Sequence, residues 1–379
     1  MTSELSSLCS YAKGKVSVDT LSKRNYVSTE NMMPNKGGIV DAGALPSAQY
    51  TQQYIKDDIL VSNIRPYFKK IWMADDDGGC SNDVLVFRAD RGCDSTFLYY
   101  ILANDAFFNY ASATSKGTKM PRGDKTAIMQ YKVPCFNYET QLRIGKLLRS
   151  IDDRIAVNKK INDNLQQQLF SLYENMATAS PCLKEYTLSN LCDFQEGYVN
   201  PPQTHPEYFD GEVKWLRAVD INESFIIETS RTLTKAGFES AKKSALLFEP
   251  NTIAISKSGT IGRLGIIADY MCGNRAVINI APHDTNMLAF IYCFLKSKQR
   301  EFPDMAVGSV QKNLYVSLLE PLSVSIPDNE SLTAFNAVGA SILGMIHNNC
   351  VENTDLANLR DTILPKLMSG ELDVSSVLI

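Results

Sequence analysis

The sequence predicts an α+β protein built as a tandem duplication, each copy a mixed α/β domain followed by a long helix. Three observations carry that reading. Four short segments recur in the same order about 190 residues apart. Short β-rich runs are punctuated by Gly, Asp and Asn. Two long stretches carry apolar residues at alternating steps of four and three.

The repeat comes first because it organises everything else. Leu5-Ser6-Ser7-Leu8-Cys9-Ser10-Tyr11 matches Leu188-Ser189-Asn190-Leu191-Cys192-Asp193-Phe194. Asp58-Ile59-Leu60-Val61-Ser62 matches Thr252-Ile253-Ala254-Ile255-Ser256, and Cys80-Ser81-Asn82 matches Cys272-Gly273-Asn274. Phe97-Leu98-Tyr99-Tyr100-Ile101-Leu102 matches Phe290-Ile291-Tyr292-Cys293-Phe294-Leu295. The offset drifts between 183 and 194, as small loop insertions would cause.

Within each copy the strands are expected at residues 59–64 and 84–87, and again at 252–256 and 276–280. A short helical stretch follows, residues 96–110 in the first copy and 288–301 in the second. Each domain part closes at a proline, Pro134 or Pro327, which restricts the residue before it and marks a boundary. The domains are therefore set at 1–135 and 183–326, with helical spacers at 136–182 and 327–379.

The spacers read as coiled coil. In the first, Ile144, Leu148, Ile151, Ile155, Asn158, Asn162, Leu165, Leu169, Leu172 and Met176 form the seam. In the second it is Val338, Ile342, Met345, Asn349, Glu352, Leu356, Leu359 and Ile363. Each seam turns polar near its middle, a feature that can set register at some loss of stability. A helix of about 35 residues is roughly 50 Å long and calls for a partner helix. Antiparallel pairing of the two spacers, with the domains at opposite ends about a pseudo-twofold axis, is the simplest arrangement. Packing in a bundle, or against another protein, is the alternative.

Composition bounds the function. The chain has 379 residues, 44% hydrophobic and 21% charged, with net charge −4. That is ordinary globular composition, and it argues against a histone-like basic protein. No run approaches the ~18 apolar residues of a membrane span. The polar start, with Glu4, does not read as a signal peptide, so the expected compartment is the cytoplasm. Nine cysteines with no C-x-x-C pair read as reduced core residues. Three histidines, none at metal-ligand spacing, leave little for zinc or a catalytic triad.

Motifs for catalysis fail on inspection. Asn200-Pro201-Pro202-Gln203 mimics the tetrapeptide of adenine-N6 methyltransferases, but Gln203 cannot stack on a flipped base and no glycine-rich cofactor motif accompanies it. Glu212-Val213-Lys214 contains the E-x-K of metal-dependent nucleases without an upstream Pro-Asp. Neither Gly262-Arg263 nor Gly14-Lys15 has the flanks of a phosphate-binding loop. Asp75-Asp76-Asp77-Gly78-Gly79 lacks the later ligands of a calcium loop and reads as a solvated turn.

Two similar domains at a set separation suit a ligand that is itself periodic and nearly twofold, which duplex DNA is. The chain resembles the specificity subunit of type I restriction-modification systems over essentially its whole length. Leu364-Pro365-Lys366-Leu367-Met368-Ser369-Gly370-Glu371-Leu372 is similar to that family's C-terminal signature. Gly117-Thr118-Lys119-Met120-Pro121-Arg122 resembles its run into the first spacer, and Gly211-Glu212-Val213-Lys214-Trp215-Leu216-Arg217 an early segment of its recognition domains. The first half departs there, with Asn25-Tyr26-Val27 in the place of Trp215. The resemblance implies a non-catalytic DNA reader, each domain taking one half of a split target. The helices would set the spacer between halves and dock two methyltransferase (modification) subunits. S-adenosylmethionine, ATP and Mg would belong to partner subunits, restriction subunits among them, and no cofactor to this chain.

Charge tests that implication. Residues 1–135 hold 16 basic and 14 acidic residues, and residues 327–379 hold 2 and 7, so the net acidity lies mainly outside the proposed readers. Phosphate attraction must then come from local clusters. The candidates in the first domain are Arg65, Lys69 and Lys70, with Lys116, Lys119, Arg122 and Lys125 around Gly117 and Gly123. In the second they are Lys257 and Arg263 beside Gly259 and Gly262, with Arg217, Arg275 and Lys312. Arginine would read guanine and lysine would hold phosphate. The coiled-coil and docking candidates are Ile144, Leu148, Ile151, Ile155, Leu165, Leu169, Ile342, Met345, Leu356, Leu359 and Ile363, flanked by Leu147, Ile161 and Phe170. Two other readings stay open: an autonomous methyltransferase or nuclease, and a coiled-coil assembly protein with vestigial recognition domains.

Overall fold

A computed structural model describes residues 2–179, 184–309 and 311–374. The expected boundary at 182/183 lies outside the described residues. The chain divides into two compact units, Met1–Arg154 with Leu356–Ile379, and Ile155–Asp355.

In the first unit, Cys9–Tyr11, Val84–Ala89, Ile59–Ser62 and Ile71–Met73 form an antiparallel sheet in that order. Side chains alternate across a strand, and here both faces are covered. Ile59, Val61, Leu85 and Phe87 pack on the helices Ser95–Ala103 and Asp105–Ala113. Leu60, Val84 and Val86 pack against Val27, Met32 and Tyr54 on the other side. Two covered faces are why Ile59–Ser62 reads as a continuous apolar run rather than an alternation. A second sheet runs Lys15–Ser17, Tyr50–Tyr54, Gly78–Cys80, Tyr26–Val27, the last pair parallel.

The second unit repeats the plan. Cys192–Glu196, Val277–Pro282, Ile253–Ser256 and Leu264–Ile267 pair antiparallel, and Phe225–Ile226 adds a fifth, parallel strand. Ile253, Ile255, Ile278 and Ile280 face the helix Leu288–Lys298, while Ala254, Ile267 and Val277 face Leu216 and Phe248. The parallel pairs Tyr26↔Gly79 and Val27↔Cys80 match Trp215↔Cys272 and Leu216↔Gly273, and Ser81 N donates to Val27 O as Asn274 N donates to Leu216 O, so Tyr26 stands where Trp215 stands. Strand positions agree with expectation to within one or two residues. The single helical stretch expected at 96–110 is two helices, because Asn104 ends one and caps the next by accepting from Ala106 N at 2.9 Å.

The long helices run Tyr138–Ala179 and Asn329–Ser369. In the first unit Ile144 and Leu148 share a core with Leu364 and Leu367, Ile151 is buried, and Arg360 Nη1 donates to Asp152 Oδ1 at 2.6 Å. In the second unit Leu169 packs with Ile342 and Ile346, Asn158 donates to Asn353 at 3.1 Å, and Asn349 donates to Asn162 at 2.8 Å. Numbers fall on one helix as they rise on the other, so the pairing is antiparallel.

The seam of the second helix corrects the heptad reading at alternate positions. Ile342, Asn349, Leu356 and Ile363 take their expected register. Between them the helix presents Ile346 and Arg360, not Met345 and Leu359, while Asn353 joins the expected Glu352 at the seam. Met345 and Leu359 are 48% and 49% exposed, whereas Ile346 is buried. The cause is electrostatic: Asn353 and Arg360 have partners waiting in Asn158 and Asp152, and apolar pattern alone could not reveal that. Glu352 reaches the same Asn158 from the side, at 2.8 Å.

Each long helix also carries a glycine where it presses on its domain. A methyl group at Gly145 would lie 2.8 Å from Asp94 Oδ1, and one at Gly339 would lie 2.6 Å from Ala289 Cβ. The two glycines occupy equivalent places in the repeat, so close helix-on-domain packing is part of the duplicated plan.

Candidate nucleic-acid interface

In the first domain a small hairpin spans residues 116–122. Lys116 N donates to Arg122 O at 2.8 Å and Arg122 N to Lys116 O at 2.9 Å, with Gly117 at φ +98°. Arg65 lies against it, its N donating to Pro121 O at 2.8 Å, and Gly123 N donates to Asn63 O at 3.1 Å. The two basic groups of this domain thus meet through Arg65 and the hairpin.

Their charges are not equally available. Lys116 pairs with Asp124 at 2.6 Å and Arg122 with Asp83 at 2.9 Å. Lys69 shares Asp105 with Lys36, at 2.8 and 3.0 Å. Lys70 donates to Thr29 O at 2.6 Å, and burial lowers its pKa. The Lys116 ammonium, with the amides of Ala127 and Thr126, holds the Asp124 carboxyl below its usual value. Lys119 and Lys125 are exposed and belong to no ion pair among the described residues. Arg65 is half-buried, with a left-handed backbone at φ +50°.

The second domain has the corresponding hairpin at 307–313, closed by Val307 N to Asn313 O at 3.0 Å and Asn313 N to Val307 O at 2.9 Å. Leu314 N donates to Lys257 O at 2.9 Å, and Lys257 N to Ala276 O at 2.7 Å, which brings Lys257, Arg275 and Lys312 to one region. Lys257 pairs with Glu196 at 2.8 Å and lies 4.8 Å from the Tyr315 ring. Burial works against the Glu196 charge, but hydrogen bonds from Lys257 and Tyr198 outweigh it and lower the pKa. Arg217 donates to Ser230 Oγ at 2.6 Å and lies 5.6 Å from the Trp215 ring. Arg263 is half-buried. Arg275 and Lys312 are exposed, and neither joins an ion pair among the described residues.

Two features escaped sequence reasoning. Arg231 lies 4.1 Å from the Phe209 ring and 5.9 Å from the Trp215 ring, and donates to Gln203 Oε1 at 2.8 Å. Gln203 is therefore the clamp of an arginine, a use unrelated to the methyltransferase tetrapeptide it mimics. In the first domain, a cleft of about 370 Å³ opens between the two sheets, lined by Tyr11, Lys15, Tyr50, Gln52, Asn82 and Lys125. Only Lys125 carried a sequence signal, because the rest converge from separate strands and a turn. Lys214 of the E-x-K triplet pairs with Asp269 at 3.1 Å and Glu228 at 3.3 Å.

Among the docking candidates, Ile161 is exposed, while Leu147 and Phe170 are half-buried against their own domain cores. Phe97, Leu98, Tyr100, Ile101 and Leu102 are buried in the first core. No helix among the described residues is long and apolar enough to cross a membrane.

Comparison with known proteins adds four findings. The family model described as the type I restriction modification DNA specificity domain matches residues 1–167 and, a second time, residues 183–354. The specificity subunit of the type I restriction enzyme MjaIX of Methanocaldococcus jannaschii is 24% identical over 308 residues, 76% of this chain and 71% of that protein. The HindI specificity subunit of Haemophilus influenzae is 26% identical over 176 residues, 45% of this chain and 38% of that one. The crystal structure of a type I restriction-modification S subunit from M. genitalium shares the fold, with TM-score 0.57 at 19% identity, covering 97% of this chain and 96% of that one.

Proposed function

The chain belongs to the family of type I restriction-modification DNA specificity domains, and we propose from that premise that each copy reads one half of a bipartite DNA target. The observation that carries this is the double match of the specificity domain, on two units with the same strand plan. The recognition domains are 1–135 and 183–326, and the spacers 136–182 and 327–379. The chain itself is non-catalytic, holds no cofactor and works in the cytoplasm. Two methyltransferase subunits dock on it, supply S-adenosylmethionine chemistry and flip the target adenine. Restriction subunits with ATP and Mg complete the complex.

Free charge assigns the roles within each reader. Lys119 and Lys125 in the first domain, and Arg275 and Lys312 in the second, meet phosphate. Arg65, Arg122, Arg217 and Arg263 stand closer to base edges, and Lys69, Lys70, Lys116 and Lys257 position the loops. The antiparallel helix pair sets the distance between half-sites. Its exposed apolar residues, Met345, Leu359 and Ile161, offer the methyltransferase subunits a docking face.

The test is N6-methyladenine mapping by long-read sequencing in the host with and without this gene. A split motif, methylated in both halves, should vanish on deletion. An unchanged methylome, even with methyltransferase subunits co-expressed, would overturn the reading in favour of an assembly protein. Binding of S-adenosylmethionine by the purified chain, measured by titration calorimetry, would favour an enzyme instead. Lys119→Glu should weaken DNA binding across sequences and reduce the salt slope by about 1.

A further inference from the structure

The geometry points to the inter-sheet cleft of the first domain as a base-reading site for an A·T pair, with Gln52 and Asn82 facing the adenine edge. This rests on the DNA-reading function proposed above and goes beyond its basic residues. Gln52 sits mid-strand, its backbone paired to Lys15 on one side and Cys80 on the other. Asn82 follows Gly78–Cys80 at the turn into Val84–Ala89. Two flanking strands make the Gln52 backbone a rigid platform, as precise recognition requires.

The cleft's chemistry matches that ligand. Side-chain amides present a donor and an acceptor together, the pattern that adenine N6 and N7 complement. Neither the Gln52 nor the Asn82 amide is engaged in a side-chain hydrogen bond among the described residues. Tyr50 is 54% exposed at the rim and offers an apolar face to a thymine methyl. Lys15 and Lys125 flank the cleft, both exposed. The acids next to it in sequence, Asp83 and Asp124, are already matched by Arg122 and Lys116. What remains is a polar cleft with uncompensated positive charge, continuous with the 116–122 hairpin through Lys125. In the second domain the end of the first sheet strand and the segment after it carry Glu196 and Tyr198 instead, with Glu196 paired to Lys257, so the two half-sites are read differently.

The experiment uses the full chain assembled with its methyltransferase subunits, acting on a random-sequence plasmid library read for N6-methyladenine. The double variant Gln52→Ala, Asn82→Ala should lose roughly ten- to hundredfold discrimination at one or two A·T positions of a single half-site. The other half-site and the spacing should stay unchanged, which also shows that the variant folds and assembles. Gln52→Glu should move the preference at that position from adenine towards cytosine, whose N4 amine a carboxylate accepts from. Lys15→Ala with Lys125→Ala should lower methylation at all sequences alike, with a salt slope reduced by about 2. An unaltered half-motif in the double variant and in Gln52→Glu would overturn the assignment while leaving the bipartite reading intact. A wild-type complex that yields no bipartite motif would overturn both.

Discussion

The hairpin at 116–122 and the hairpin at 307–313 share one backbone and differ in nearly every charge. Both close with the same pair of hydrogen bonds, both carry a glycine at positive φ near the start, and both lead into a short helix and then the strand that pairs with the domain's first. Yet Lys116, Lys119 and Arg122 of the first correspond in sequence to Val307, Val310 and Asn313 of the second. Beside them, Asn63 corresponds to Lys257, so a cation absent from one hairpin stands on the strand below it in the other. Duplication conserved the scaffold and released the surface. The lesson is that recognition lies in residues that the fold tolerates but does not require.

The comparison can be broken most severely at the shared scaffold. Leu148 and Ile342, at equivalent places in the repeat, are both buried in the cores of their units. Replacing either with alanine should lose about 2–5 kcal/mol in urea unfolding. A large loss at one and none at the other would show that the helix seats are not equivalent. The polar centres of the seams differ more. Arg360→Ala leaves Asp152 without the guanidinium in a partly buried site, with only the Tyr100 hydroxyl still donating to it, where burial and the Asp152 charge already push the Tyr100 phenol up. The expected loss is about 2 kcal/mol. Asn349→Ala in the neutral pair should lose about 1 kcal/mol, so the ranking of the two variants by denaturation checks the assignment of charge to one seam.

The hairpin regions sharpen the comparison through pH. Glu196 has a pKa lowered in the folded state by Lys257 and Tyr198. A depressed carboxylate contributes stability above its unfolded pKa, near about 4.3, and loses it as pH falls through the lower folded value. Melting temperature should therefore drop below about pH 4, and Glu196→Gln should flatten that part of the profile. A variant whose acid limb matches the wild type would show that the Glu196–Lys257 pair contributes nothing to stability. The smallest effect is expected at the outward face of the second helix: Met345→Lys or Leu359→Lys should change stability by no more than about 0.5 kcal/mol. Ile346→Lys, one residue along, should be strongly destabilising, and equal effects would restore the heptad register that the structure corrects.

Much of this was legible beforehand, for identifiable reasons. The four matched segments are the first turn, core strands and the core helix of each domain, where burial limits the choice of residue and preserves a trace of duplication. The long helices announced themselves because an apolar repeat of four and three has one geometric meaning. The seam register did not, since Asn353 and Arg360 are polar and their fitness depends on Asn158 and Asp152, 195 and 208 residues away. The basic candidates were visible as residue types, but which of them keep a free charge was not. Lys69, Lys70, Lys116 and Lys257 found internal partners that are distant or unremarkable in the sequence.

By itself, then, the sequence determined the duplication, the alternation of domain and helix, the strand positions and the family resemblance, because each rests on periodicity or on short local patterns. Only the tertiary structure decided the seam register, the charges left uncommitted and the cleft formed by Lys15, Gln52, Asn82 and Lys125. Those depend on side chains converging from separate strands and turns, and local pattern carries no information about which distant groups will meet.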